Sequence, residues 1–191
     1  MIHCKAAVTD GNGQFSIKEI SVADPTGDEI LVKIMAAGIC HTDWDAQYWG
    51  KPLILGHEGA GIVVKTGENV TALAIGDKVM LNWAIPCYQC FQCQLGNQHL
   101  CEPNSAVTAG NKRSGGHATY ESTTCEGKPI ERAFSLGTMA EYTLVREAAC
   151  VKIHVEMPYP SAAIVGCGVM TGYGSVVHAA QVKTGSSVVV L

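Results

Sequence analysis

Four cysteines between positions 87 and 101 constrain this chain more than any other feature. Cys87, Cys90, Cys93 and Cys101 follow the spacing C-x2-C-x2-C-x7-C. Residues three apart can aim two thiolates at one ion, and the longer loop returns the fourth. Four thiolates in a closed tetrahedron suit structural zinc, which keeps no position open for a substrate. Such a centre would contribute about 10 kcal/mol or more of metal-coupled folding energy. Three overlapping spacings and a fourth cysteine speak against a redox CxxC, whereas iron or an iron–sulfur cluster would use the same thiolates. The stretch 85–103 therefore reads as a metal-stabilised lobe. By itself a lobe does not make an enzyme.

The count of nine cysteines in 191 residues is odd. The start, MIHCKAAV, lacks the charged region and long apolar run of a secretory leader, so thiols and metal thiolates are expected rather than a disulfide framework, in a cytoplasmic protein. Hydrophobic residues make up 47% and charged residues 16%, enough apolar surface to fold and to exclude disorder. A net charge of −4 offers no basic face for nucleic acid. No apolar run approaches the ~18 residues that span a bilayer, so neither nucleic acid nor membrane is an expected partner.

Short runs rich in branched residues alternate with turn signals. Phe15 to Ile20 and Glu29 to Gly38 are separated by Asp24-Pro25-Thr26-Gly27, and Gly59 to Gly67, Gly76 to Trp83, Met139 to Val145 and Ala149 to Ile153 repeat the pattern. Strands at this spacing predict a barrel or sandwich, a mainly β fold with short helices. Ala106 to Ile130 reads as a polar surface excursion. After Pro160, small and apolar residues fit two helical pieces around a glycine break, and Lys183-Thr184-Gly185 makes a turn before Ser186 to Leu191. That last run, SSVVVL, reads as a buried strand of a parallel sheet.

Three further elements stand apart: Gly38-Ile39-Cys40-His41-Thr42-Asp43 after a strand, Gly56-His57-Glu58-Gly59-Ala60-Gly61 before one, and Gly166-Cys167-Gly168-Val169-Met170-Thr171-Gly172-Tyr173-Gly174. No spacing rule joins Cys40, His57 and Cys167, and singly each has a plain structural reading. In this order, together with the cysteine lobe, they resemble the zinc-dependent alcohol dehydrogenases of the medium-chain dehydrogenase/reductase superfamily, over essentially the whole chain.

The resemblance implies a GroES-like β-barrel catalytic domain over residues 1–185 with an inserted structural-zinc lobe. Residues 186–191 would then be the first strand of a truncated Rossmann domain for NAD or NADP. It implies two Zn²⁺ per chain, one structural and one held by Cys40, His57 and Cys167 with an open fourth position. Two thiolates would leave a mild Lewis acid that lowers the pKa of an alcohol, so that hydride can pass to a nicotinamide. Asp43 would orient His57 from behind, and Glu58 would be the acidic neighbour able to approach the metal. Thr42 would hydrogen-bond the substrate oxygen and start a proton relay. Asp45 stands where well-known members have the histidine that ends it, a departure that an aspartate could serve only with a raised pKa. His41 and Thr171 would face the cofactor, and Trp83 and Leu136 would line the substrate pocket.

The short stretch from Cys40 to His57 lacks the acidic loop of glutathione-dependent formaldehyde dehydrogenases, so aromatic or medium-chain primary alcohols and their aldehydes are the expected substrates. A complete enzyme would be a homo-oligomer, and the 191-residue piece would bind zinc without activity. The alternative is a stand-alone zinc-binding module with a binding or scaffolding role. Coding DNA beyond the Leu191 codon separates the two.

Overall fold

The computed structural model describes residues 1–103, 122–154 and 156–191. Strands dominate it. β1 (Ile2–Thr9) and β2 (Phe15–Val22) form a hairpin in full register from Ile2↔Val22 to Thr9↔Phe15. Its turn is closed by the Asp10 carboxylate, which accepts from the Asn12 and Gln14 N–H groups at 2.7 and 3.2 Å. β3 (Glu29–Gly38), β5 (Glu58–Thr66) and β6 (Lys78–Leu81) follow as neighbours, with β4 (Leu53–Ile54) between the first two in sequence. Beyond the lobe come β7 (Thr123–Cys125), β8 (Lys128–Pro129), β9 (Glu131–Arg132), β10 (Tyr142–Arg146) and β11 (Cys150–Lys152).

They build two sheets, of strand order β8-β7-β2-β1-β4-β9 and β10-β3-β5-β6-β11. The segment before β10 links them: the Ala6↔Ala140 bridge ties it to β1, and Ile34 N–H donates to Glu141 C=O at 2.9 Å on the other side. The result is a nearly closed, barrel-like β domain. Two large apolar clusters fill much of its interior. One is centred on Val8, Ile20, Val22, Leu31 and Leu144, the other on Ile30, Val32, Val63, Val79 and Leu81. Cys4 and Cys125 are buried in the first cluster as plain apolar side chains. Cys150 packs against the second, and burial pushes its thiol up to about 12.

Helices are short: α1 (His41–Ala46), α2 (Phe91–Gln94), α3 (Tyr159–Ala163) and α4 (Gly168–Tyr173). The expected break in the C-terminal helical region falls at Cys167, where Tyr159–Gly166 and Gly168–Ala179 meet at 55°. No single helix among the described residues is long and apolar enough to cross a membrane, although that bent pair together reaches the length.

Two differences from the sequence reading stand out. Ile2–Thr9 is a strand, although Lys5, Ala6 and Ala7 part its branched residues, so that no continuous run marks it. Ser186–Leu191, expected as a buried strand, makes no strand pairing and is exposed. A strand of a parallel sheet needs a neighbour and a layer over each face, and the described residues offer it neither. The turn before it does form, with Ser186 N–H donating to Lys183 C=O at 3.1 Å. Of the expected polar excursion, residues 106–121 lie outside the described residues.

Candidate metal centres

Antiparallel pairing brings the first two elements together. β3 and β5 stay paired to their tips, where Gly38 lies opposite Glu58. Cys40 sits two residues past the end of β3 and His57 one residue before β5, so both emerge at the same end of the sheet. Gly56 makes the entry to β5 with φ +98, and a Cβ there would meet the Met139 amide nitrogen at 2.5 Å. The third element arrives beside β6. A Cβ on Gly166 would meet the Leu81 carbonyl oxygen at 2.4 Å, so only glycine lets the chain lie that close and deliver Cys167.

The ligand-bearing atoms of Cys40, His57, Glu58 and Cys167 all lie within 4.8 Å of one another. Asp43 stands behind them. Its Oδ1 is 3.0 Å from His57 Nδ1 and its Oδ2 accepts from Cys40 N–H at 2.9 Å. His57 is 2% exposed and Asp43 4%, which makes this a buried hydrogen-bonded unit. Burial presses His57 toward its neutral form, but the Asp43 carboxylate and the Cys40 sulfur together outweigh it and hold the imidazole above its ordinary pKa. With Nδ1–H committed to Asp43, Nε2 is left to serve a metal. Glu58 is also buried, and its Oε1 accepts from Gly168 N–H at 3.1 Å.

The charges in this cluster favour a cation. Burial, then the Cys40 sulfur and the Glu58 carboxylate, push the Cys167 thiol up to about 12. Burial also opposes ionisation of Cys40, yet the Thr42 N–H and hydroxyl and His57 together bring its thiol below the ordinary value. Two sulfurs and a carboxylate that repel one another as anions are the surroundings a divalent ion would relieve. A borderline-soft ion such as zinc suits that mixed set.

In the lobe, the four sulfurs of Cys87, Cys90, Cys93 and Cys101 likewise lie within 4.8 Å of one another. The Cys87 and Cys93 sulfurs are 4.0 Å apart, close to the edge of about 3.8 Å of a tetrahedron with Zn–S near 2.3 Å. Cys87 Sγ accepts from the N–H of Gln89 and Cys90 at 3.5 and 3.3 Å, and Cys101 Sγ accepts from Cys87 N–H at 3.3 Å. These N–H groups, that of Gln89 first, bring the Cys87 thiol down to about 7. All nine cysteines are free, so no disulfide competes for these sulfurs.

The remaining expected residues divide. Thr42 is half-buried with its hydroxyl 3.8 Å from Cys40 Sγ. His41 and Asp45 lie on the exposed side of α1 and pair with each other at 3.8 Å. Thr171 is exposed on α4. Trp83 is half-buried, with Nε1 buried and without a hydrogen-bond partner, and Leu136 is fully buried in the same cluster behind it.

Sequence reasoning missed Phe134 and Trp49. The Phe134 ring centroid lies 4.9 Å from that of His57, 5.6 Å from Trp83 and 5.7 Å from Trp49. Phe134 and Ser135 both adopt left-handed backbone, φ 52 and 61. Side-chain-bearing residues do this rarely, at a cost of roughly 1–2 kcal/mol each. These aromatics stand at three separate places in the chain, and no local pattern announces their meeting.

A barrel-like β domain with a four-cysteine lobe, and a second ligand cluster at the end of one sheet, is the N-terminal domain type of the medium-chain dehydrogenase/reductases. The Alcohol dehydrogenase GroES-like domain family matches residues 26–155. Alcohol dehydrogenase B of Mycobacterium tuberculosis is 36% identical over 191 aligned residues, covering 97% of this chain and 50% of that protein. An alcohol dehydrogenase zinc-binding domain protein from Burkholderia ambifaria superposes with TM-score 0.84 at 35% identity, over 97% of this chain and 51% of the other. Benzyl alcohol dehydrogenase from Acinetobacter calcoaceticus superposes with TM-score 0.82 at 32% identity, over 98% and 51%. The chain belongs to the alcohol dehydrogenase GroES-like domain family. It spans about half the length of the curated relatives it matches.

Proposed function

We propose that this chain is the metal- and substrate-binding catalytic part of a zinc-dependent alcohol dehydrogenase that uses NAD or NADP. One observation carries the reading: Cys40, His57, Glu58 and Cys167, from three distant segments, converge within 4.8 Å around a histidine braced by Asp43. Cys40, His57 and Cys167 would hold the catalytic zinc, and Cys87, Cys90, Cys93 and Cys101 a structural one. When bound, the catalytic ion supplies a Lewis acid that lowers the pKa of an alcohol hydroxyl.

The protein's own groups do the rest. Asp43 fixes the tautomer of His57 and tethers the edge of its ring. Glu58, tethered to Gly168 N–H, stays beside the ligands as a spare carboxylate. The Thr42 hydroxyl would accept the hydrogen bond of the substrate hydroxyl and pass the proton outward, and Asp45, exposed on the same helix, would be its outlet. His41 and Thr171, both exposed, present an imidazole and a hydroxyl to the cofactor. Trp49, Trp83 and Phe134 form an apolar wall beside His57, with Leu136 packed behind Trp83. Flat aromatic primary alcohols fit such a wall better than branched ones.

Metal analysis tests the reading. The chain should hold about two zinc ions and Cys40→Ser about one. A single ion in both would overturn it. In the complete protein, aromatic primary alcohols should reduce NAD or NADP, and failure to do so with both ions present would refute the assigned chemistry.

A further inference from the structure

We propose that Phe134 is a positioning residue for His57, and that the left-handed turn at Phe134–Ser135 exists to hold its ring against the imidazole. The proposal rests on the reading of Cys40, His57 and Cys167 as a metal centre. Asp43 holds His57 through one ring atom, Nδ1, at 3.0 Å. Asp43 and the Cys40 sulfur both bear on the edge of the imidazole, and neither presses on its face, so the ring can still rock out of its plane. A contact on the face of the ring limits that rocking and so narrows the direction of Nε2. Phe134 supplies it, its ring inclined 48° to the imidazole with centroids 4.9 Å apart.

Phe134 is itself fixed from two sides. Trp49 meets its ring at 66° and Trp83 at 59°. The backbone around it is fastened to the segment that leads into His57. Glu131 and Arg132 pair with Leu53 and Ile54, Met139 N–H donates to Leu55 C=O at 3.0 Å, and Thr138 N–H donates to Gly56 C=O at 3.0 Å. The loop therefore returns to the 53–56 segment on both sides of Phe134, so ring and imidazole share one frame. Two consecutive side-chain-bearing residues in left-handed backbone persist only where their surroundings over-determine them. In this turn the over-determined feature is the place of the Phe134 ring. A ring needed only for core packing would not require so unusual a backbone.

Zinc alone is the probe, and the 191-residue chain is the sample. Transfer of zinc to a chromogenic chelator should run in two phases, and the one missing in Cys40→Ser belongs to the His57 centre. Phe134→Ala and Phe134→Leu should each speed that phase about tenfold or more, with the lobe phase unchanged. Phe134→Tyr, which keeps the ring, should restore slow release. Cobalt(II) in the same centre should show shifted visible bands in Phe134→Leu and near-native bands in Phe134→Tyr. Unchanged release in Phe134→Ala and Phe134→Leu would overturn the proposal. So would equal acceleration of both phases, which would make Phe134 a support of the whole fold. Wild-type chain that holds zinc in the lobe only would remove the centre itself, an outcome distinct from the other two.

Discussion

Asp43→Ala removes the group on which the centre's geometry hangs. The carboxylate accepts from Cys40 N–H at 2.9 Å and from His57 Nδ1–H at 3.0 Å, and at 2–4% exposure water does not readily replace it. Each buried donor left unpaired costs about 1–3 kcal/mol, which puts the gross loss at roughly 2–6 kcal/mol. Relief from burying a carboxylate offsets part of this, so a net loss of about 2–4 kcal/mol is expected. A domain of ordinary stability, about 5–15 kcal/mol, would still fold. The zinc affinity of the Cys40–His57–Cys167 centre should fall about 10- to 100-fold, or about 1.4–2.8 kcal/mol. Asp43→Asn should lose less stability, because its carbonyl can still accept from Cys40 N–H, yet it should lose comparable affinity. Urea unfolding of the metal-free, reduced chain gives the first quantity and competition with a chelator of known affinity gives the second. Metal-free Asp43→Ala within about 0.5 kcal/mol of the parent, with unchanged affinity, would refute the reasoning.

Gly166→Ala puts a Cβ 2.4 Å from the Leu81 carbonyl oxygen. Relief requires the chain to move off β6, costing about 1–3 kcal/mol and carrying Cys167 away. Metal analysis should show the lobe ion retained and the other lost; two ions at native affinity would contradict the close-approach argument. At the surface, the Asp24 carboxyl is held by Lys65 and by the N-terminal ammonium, which bring it down to about 2 from an ordinary value near 3.8. Because the folded-state pKa is depressed, the ion pairs contribute in full above about pH 4, and that contribution is lost as pH falls toward 2. The melting temperature of Asp24→Asn should therefore be less sensitive to pH between 4 and 2 than that of the parent, and less sensitive to salt. Identical profiles would dismiss the pairs as energetically silent.

The parts of this molecule that could be read in advance are those whose cause is local. The lobe's four thiolates sit within fifteen residues of one another, so their spacing alone states the geometry they can reach. The branched runs of β3, β5, β6 and β10 announce strands because side-chain shape and pleat agree. Ile2–Thr9 holds as many branched residues as β2, but Lys5, Ala6 and Ala7 part Ile2 from Val8 and Thr9, so no run announces it. Ser186–Leu191 is exposed and unpaired in this chain, since an apolar run states what would be buried, whereas burial also needs a surface to cover it. The second ligand cluster is non-local throughout, since Glu58 and Gly168 meet across 110 residues, and only resemblance joined its pieces. The aromatic contact on His57 had neither spacing nor motif behind it. It follows from three strand-end loops reaching one end of the barrel, and chemistry needing groups from several such ends is where a reading along the chain must fail first.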